Sequence, residues 1–261
     1  MGDEGKMRNF RSAVLVGAVL AGLSLSACAS RSISNSGYQE EPAYGTNARS
    51  GDAFYYQGEL SAYDVLGGDV RTGVSDADIA RTLEAKQPIA LKPGGNVMLV
   101  QSGAPFADAE MIAAMEKHFR VSAFTGVPWR DPAATSENAP PPVPYSQRFR
   151  LVAARGGFET VIVYWGVLES GRQDIATKAV SWVPFIGGNI PDEVQRMRIR
   201  LVAALIDVRT GQWETYVPEP FEDTSFSNDH NREASDQEQV LLLKEKGYAA
   251  LADGFAAKYG G

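Results

Sequence analysis

Apolar and polar positions recur along this chain with two periods, and the switches between them outline its elements. Val97-Met98-Leu99-Val100 is an unbroken apolar run closed by Ser102-Gly103, the pattern of a strand buried on both faces. Asp108 opens a stretch with Met111, Ile112, Met115 and Phe119 at helical spacing, and Val121 to Phe124 reads as the next strand, ended by Gly126-Val127-Pro128. Strand, helix, strand predicts a right-handed parallel crossover. Upstream, Ser75-Asp76-Ala77-Asp78 has capping-box form and predicts a short helix with Ile79 and Leu83 on its packed face.

Downstream, the Pro-rich stretch from Ala133 to Pro144 predicts a semi-rigid surface connection. Ser146 is the expected cap of a helix that turns Phe149, Val152 and Ala153 inward and stops at Gly156-Gly157. Thr160 to Leu168, rich in Val, Ile, Tyr and Trp, predicts the central strand. Ala179 to Pro184 reads as a further strand. Gln195 to Val208 reads as a long one, with Met197, Ile199, Leu201, Ala203 and Leu205 alternating against Arg196, Arg198, Arg200 and Val202. Arg209-Thr210-Gly211-Gln212 predicts a hairpin turn into Trp213 to Val217, and Pro218 and Pro220 suit an edge strand. Residues 221–234 read as a polar loop. Ser235-Asp236-Gln237-Glu238 is a second capping box, opening a last helix with Leu241, Tyr248, Leu251, Phe255 and Tyr259 on one stripe. The order predicts an α/β fold, a mixed β-sheet with helices packed against it.

Composition narrows the function classes. The 261 residues carry 25 Lys and Arg against 32 Asp and Glu, a formal charge of −7, which argues against nucleic-acid binding. A single Cys excludes an internal disulfide framework and any multi-Cys metal site. Residues 29 to about 58 have almost no aliphatic side chains and predict a flexible tether. The expected organisation is a signal segment over 1–27, a tether over 28–58 and one domain over 59–261.

The amino terminus predicts an address. Lys6, Arg8 and Arg11 precede an apolar run from Ala13 to Leu25, shorter than the ~20 residues a helix needs to cross a bilayer, and Met7 is an alternative start to Met1. The run ends Leu25-Ser26-Ala27-Cys28, which resembles the lipobox of bacterial lipoproteins. That resemblance implies cleavage between Ala27 and Cys28 and acylation of Cys28, and Ala29 in place of Asp implies the periplasmic face of the outer membrane. Two or three acyl chains give stable anchoring, each buried CH₂ contributing about 0.8 kcal/mol.

A second resemblance covers roughly residues 75–260. The Val-Met-Leu-Val strand, a helix, the Val-Ser-Ala-Phe strand, a second helix, an apolar strand, Arg200 to Trp213 with its Asp207-Val208-Arg209-Thr210-Gly211 turn, and a terminal helix come in that order. The layout is similar to the periplasmic lipoprotein fold of the TolB amino-terminal domain, CsgG and LpoB. It implies a sandwich of that kind, with the helix before the first strand packed under the sheet, and a role in envelope assembly or partner activation rather than catalysis.

The candidate chemistry is sparse. His118 reads as a solvated helix residue. His230, beside Asp229 and near Glu222, Asp223, Ser225 and Ser227, offers at most a hydrolase-like cluster or weak oxygen ligands. Ser102 follows a buried strand but lacks the Gly-x-Ser-x-Gly elbow. Trp182, Phe185 and Ile186 lie in an apolar Gly- and Pro-containing stretch to Pro191 and are candidates for partner contact. Arg196, Arg198 and Arg200 form a row for an acidic partner, lipid or glycan, or alternatively guard an edge strand. The expectation is a non-enzymatic, lipid-anchored protein that binds another envelope component, without cofactor, metal or catalytic residues. The alternatives are a periplasmic hydrolase using His230 and a subunit of an oligomeric secretion or envelope complex.

Overall fold

In the computed structural model, the described residues are 29–35, 58–67, 74–128, 144–174, 193–227 and 232–260. They form strand β1 (Ala29–Ser32), a 3-10 turn (Ile33–Asn35), helices α1 (Ala62–Leu66) and α2 (Asp76–Glu84), strand β2 (Asn96–Gln101), helix α3 (Ala109–Glu116), strand β3 (Arg120–Phe124), helix α4 (Tyr145–Arg155), strands β4 (Thr160–Asp174), β5 (Glu193–Asp207), β6 (Trp213–Tyr216) and β7 (Phe221–Ser227), and helix α5 (Arg232–Tyr259). All seven strands join one mixed sheet whose main path runs β3-β2-β4-β5-β6. β2 is parallel to β3 and β4, as the strand–helix–strand pattern predicts, and β4 and β5 are an antiparallel pair of 15-residue strands. At ~3.3 Å per residue that ribbon is about 50 Å long.

Its length decides the rest of the topology. β2 covers only residues 160–164 of one β4 edge, and β6 covers only residues 203–206 of the outer β5 edge. The remaining edges would expose rows of unpaired N–H and C=O groups. β1 fills the first gap, pairing antiparallel with Val167 to Ser170, and β7 fills the second, pairing antiparallel with Glu193 to Ile199. Two expectations are corrected here. Residues 221–227 are a strand, not part of a polar loop. Residues 29–32 are a strand of the sheet, followed by a 3-10 turn over 33–35, and are not a tether. Ile33, the only branched aliphatic between Cys28 and Leu60, is fully buried.

Helices cover both faces. On one, α3 and α5 bring Met111, Met115, Leu243, Tyr248, Leu251 and Phe255 against Leu99, Ile162, Ile199, Leu201 and Leu205. On the other, Leu60, Val65 of α1, and Phe149 and Ala153 of α4 cover Met98, Val100, Val161, Val163 and Ile206. Burying each such large side chain stabilises the fold by about 1.5–3 kcal/mol. The alternating faces of β2, β4 and β5 are therefore both apolar near the middle of the sheet.

Several helix details depart from the pattern. Ser75 caps α2 with the expected capping box, but α2 buries nothing, and Ile79 and Leu83 are exposed. This helix does not pack under the sheet. Val152 also faces outward, and α4 starts after Pro144, with Ser146 buried inside the helix instead of capping it. α5 begins at Arg232, so Ser235 lies within the helix and not at its start. The predicted strand at 179–184 and the Pro-rich stretch from 133 to 143 lie outside the described residues.

Candidate functional site

The arginine row sits on β5, on the face opposite α5. Alternation along the strand sends Met197, Ile199 and Leu201 into the core and leaves Arg196 and Arg200 exposed and Arg198 half-buried. The register places Arg198 between Glu169 of β4 and Glu222 of β7. The Arg198 guanidinium donates from Nε to Glu169 Oε2 at 2.7 Å and from Nη1 to Glu222 at 3.3 Å, and Arg200 bonds the other Glu169 oxygen. Arg198 first, then Arg200, hold the Glu169 carboxyl below the ordinary carboxylate range. The edge-guard reading is corrected, since β5 is paired on both sides and is no edge. The row is a charged surface of alternating sign, with Arg196 opposite Gly171 at its outer end.

Where β2 ends and α3 begins there is a buried polar cluster that the pattern along the chain did not reveal. Lys244 of α5, 2% exposed, lies 2.9 Å from Asp108 Oδ2, and the Tyr248 hydroxyl donates to the same oxygen at 2.5 Å. Gln101 Oε1 accepts from the Tyr164 hydroxyl at 2.6 Å and from the Asp108 amide at 2.8 Å. Gln101 Nε2 donates to Ser34 Oγ at 3.0 Å, and Ser34 in turn donates to the Ser102 carbonyl at 2.6 Å. The Tyr164 and Tyr248 rings meet edge to face, 5.7 Å apart. Burial, then the nearby Asp108 charge, pushes both phenols well above their usual range, so they act as neutral donors. The available signals were a Gln closing an apolar strand and a Lys on the apolar stripe of α5.

Ser102 is buried at the same corner. Its hydroxyl accepts from the Leu60 amide at 2.8 Å, and the Leu60 carbonyl accepts from Trp165 Nε1 at 2.7 Å. A serine so engaged is a structural anchor. Two of the acidic neighbours expected near His230 are also engaged, Glu222 by Arg198 and Asp223 by Gln239 at 3.1 Å, and Asp229 lies outside the described residues. His118 pairs with Asp253 of α5 at 2.8 Å.

At the opposite end of the sheet an open cleft of about 640 Å³ is lined by Leu91, Lys92, Asn96, Phe158, Glu159 and Asp207, among others. Lys92 and Glu159 pair across it at 2.8 Å, and Asp207 accepts from the Thr210 amide and hydroxyl within its hairpin turn. Among the described residues, no group of three or more His, Cys, Asp and Glu side chains is arranged to hold a metal ion. No helix among them is long and apolar enough to cross a membrane. Ala27, Cys28, Trp182, Phe185, Ile186 and His230 lie outside the described residues.

Residues 61–258, well over half the chain, match the family described as YafT bacterial lipoprotein. No curated protein matches the chain by sequence. Among solved structures, it is similar to a PelC dodecamer from Paraburkholderia phytofirmans, at 12% identity over 63% of this chain and 95% of that one, with a TM-score of 0.24. It is also similar to the hypothetical protein CT253 from Chlamydia trachomatis, at 12% identity over 64% of this chain and 97% of that one, with a TM-score of 0.28.

Proposed function

The chain belongs to the YafT bacterial lipoprotein family, and from that premise we propose that it is a non-catalytic envelope protein, acylated at Cys28 and held at the periplasmic face of the outer membrane, whose α/β domain binds another envelope component. The Leu25-Ser26-Ala27-Cys28 sequence supports the anchor, and Ala29 supports the outer membrane. The non-catalytic reading is supported by the polar side chains a reaction would draw on. Ser102, Asp108 and Lys244 are spent on buried bonds that hold elements together.

One observation carries the binding role. Arg196, Arg198 and Arg200 stand on the face of the sheet opposite α5, with Glu169 and Glu222 set between them. A patterned charge surface selects a partner of complementary pattern and rejects like-charged ones. The partner that fits is an envelope protein presenting carboxylates to Arg196 and Arg200.

The test is a photo-activated crosslinker at position 224, the exposed residue directly across from Arg196 on β7, in living cells. Capture of a discrete envelope protein, lost in Arg196→Glu/Arg200→Glu with the fold unchanged by circular dichroism, is the expected result. Crosslinks unchanged by charge reversal refute the binding role. Continued membrane association of Cys28→Ser refutes the anchor.

A further inference from the structure

The acyl anchor proposed at Cys28 has no tether behind it in this fold. Ala29 already pairs with Ser170, and β1 runs back along β4 to Ser32 opposite Val167. Ile33 then packs over Gly166. A Cβ on that glycine would lie 2.8 Å from Ile33 Cγ2 and 2.6 Å from Leu201 Cδ2, so only glycine leaves room for the isoleucine. Ser34 is buried and bonded to Gln101 and Ser102.

The stretch that looked like a spacer also returns to where it left. Ser34 donates to the Ser102 carbonyl, and the Leu60 amide donates to the Ser102 hydroxyl. Ser32 bonds Glu59 as well. Both ends of residues 35–59 are thus fixed at one corner of the sheet. Whatever course 36–57 take, their length adds nothing to the distance between residue 28 and the domain. A free coil of about 30 residues would have allowed roughly 30 Å of root-mean-square separation. One peptide unit allows about 3.8 Å.

We propose that the domain sits directly on the outer-membrane surface, with the Ser170–Asp174 end of the β4–β5 ribbon against the lipid headgroups. This rests on the acylation of Cys28. β1 begins at Ala29 opposite Ser170, next to Gly171, whose β5 partner is Arg196 and whose next neighbour across β5 is Thr224. The connection between Asp174 and Glu193 leaves from the same end and carries the Trp182, Phe185 and Ile186 sequence. The Lys92–Glu159 cleft is then held at the opposite end, some 35 Å further out along the strand direction. Arg196 faces the headgroup region, so a protein partner engages the row alongside the membrane.

The full acylated protein, reconstituted in phosphatidylethanolamine–phosphatidylglycerol vesicles carrying a headgroup quencher, tests this. Acylation blocks the chain's only Cys, so a single engineered cysteine takes the fluorophore cleanly. Thr224→Cys and Lys117→Cys are both at exposed positions, at the near and far ends. The expected result is that the Thr224→Cys label loses its emission to the quencher while the Lys117→Cys label keeps it. A Gly/Ser linker inserted between Cys28 and Ala29 restores the Thr224→Cys emission. Vesicle-bound native protein whose two labels respond alike overturns the seated orientation and leaves the anchor standing. Protein that stays off the vesicles, with mass spectrometry showing an unmodified Cys28, overturns the anchor and the orientation with it.

Discussion

The ammonium of Lys244 lies 2.9 Å from the carboxylate of Asp108, with both side chains withdrawn from solvent. This contact locks α5 to the start of α3 at the end of β2. Removing one partner leaves a buried charge without its counter-ion. Lys244→Met is expected to lower the unfolding free energy by about 3–5 kcal/mol. Adding Asp108→Asn should recover part of that loss, since the uncompensated charge goes too. Urea unfolding of the single and double variants measures both. A double variant no more stable than the single one refutes the pair's role.

Tyr164 and Tyr248 give the domain an alkaline limit. Burial raises both phenols well above the ordinary value of 10.0. A group whose pKa is raised on folding contributes stability that is fully present below its unfolded value. That stability is lost as pH rises through the folded value. The domain should therefore hold its stability up to about pH 10 and lose it above. Tyrosinate absorbance and circular dichroism followed together check this, because these two phenols should ionise only as the backbone unfolds. Full ionisation of every tyrosine with the fold intact contradicts it.

Glu169 neutralises Arg198 and Arg200 from β4. Glu169→Gln should leave the unfolding midpoint nearly unchanged, because such partly exposed pairs contribute little. It should strengthen capture of an acidic partner from position 224, since two guanidiniums lose their internal counter-charge. Weaker capture with unchanged folding would show instead that Glu169 is itself a contact.

The seat of Ile33 over Gly166 ties the amino-terminal strand down. Ile33→Ala should cost about 2–5 kcal/mol as a buried truncation. Gly166→Ala should cost about 1–3 kcal/mol by overpacking against Ile33 and Leu201. Both should expose Arg31 to trypsin, with the new amino terminus at Ser32. Equal resistance of the variants and the native chain at that bond would count against a docked β1.

Local pattern carried much of the fold. The Ser75 capping box, the apolar β2 run, the helix after Asp108 and the Asp207–Gln212 hairpin were each legible, because each depends on residues within a few positions of one another. β4 was recognisable as central from its Val, Ile, Tyr and Trp content. The two strands missed, β1 and β7, have little apolar content of their own, and they form because β4 and β5 outrun their other neighbours. α2 shows the converse: its apolar pair has helical spacing, yet the fold leaves that face exposed.

The candidate site divides the same way. The Arg196–Arg200 row was legible from period-two alternation on one strand, but its neutralisation by Glu169 and Glu222 depends on register between strands. The Lys244–Asp108–Tyr248 cluster joins residues up to 140 positions apart, beyond the reach of any local pattern.

By itself, the order of residues determined the element types, the mixed α/β class and the lipobox-like address, all of which follow from short-range spacing and side-chain chemistry. Only the tertiary structure decided which strand edges remained open, and so that residues 29–32 close one of them. The physical reason is that unpaired backbone groups along a 15-residue strand must find partners, and the chain just after Cys28 is what lies within reach.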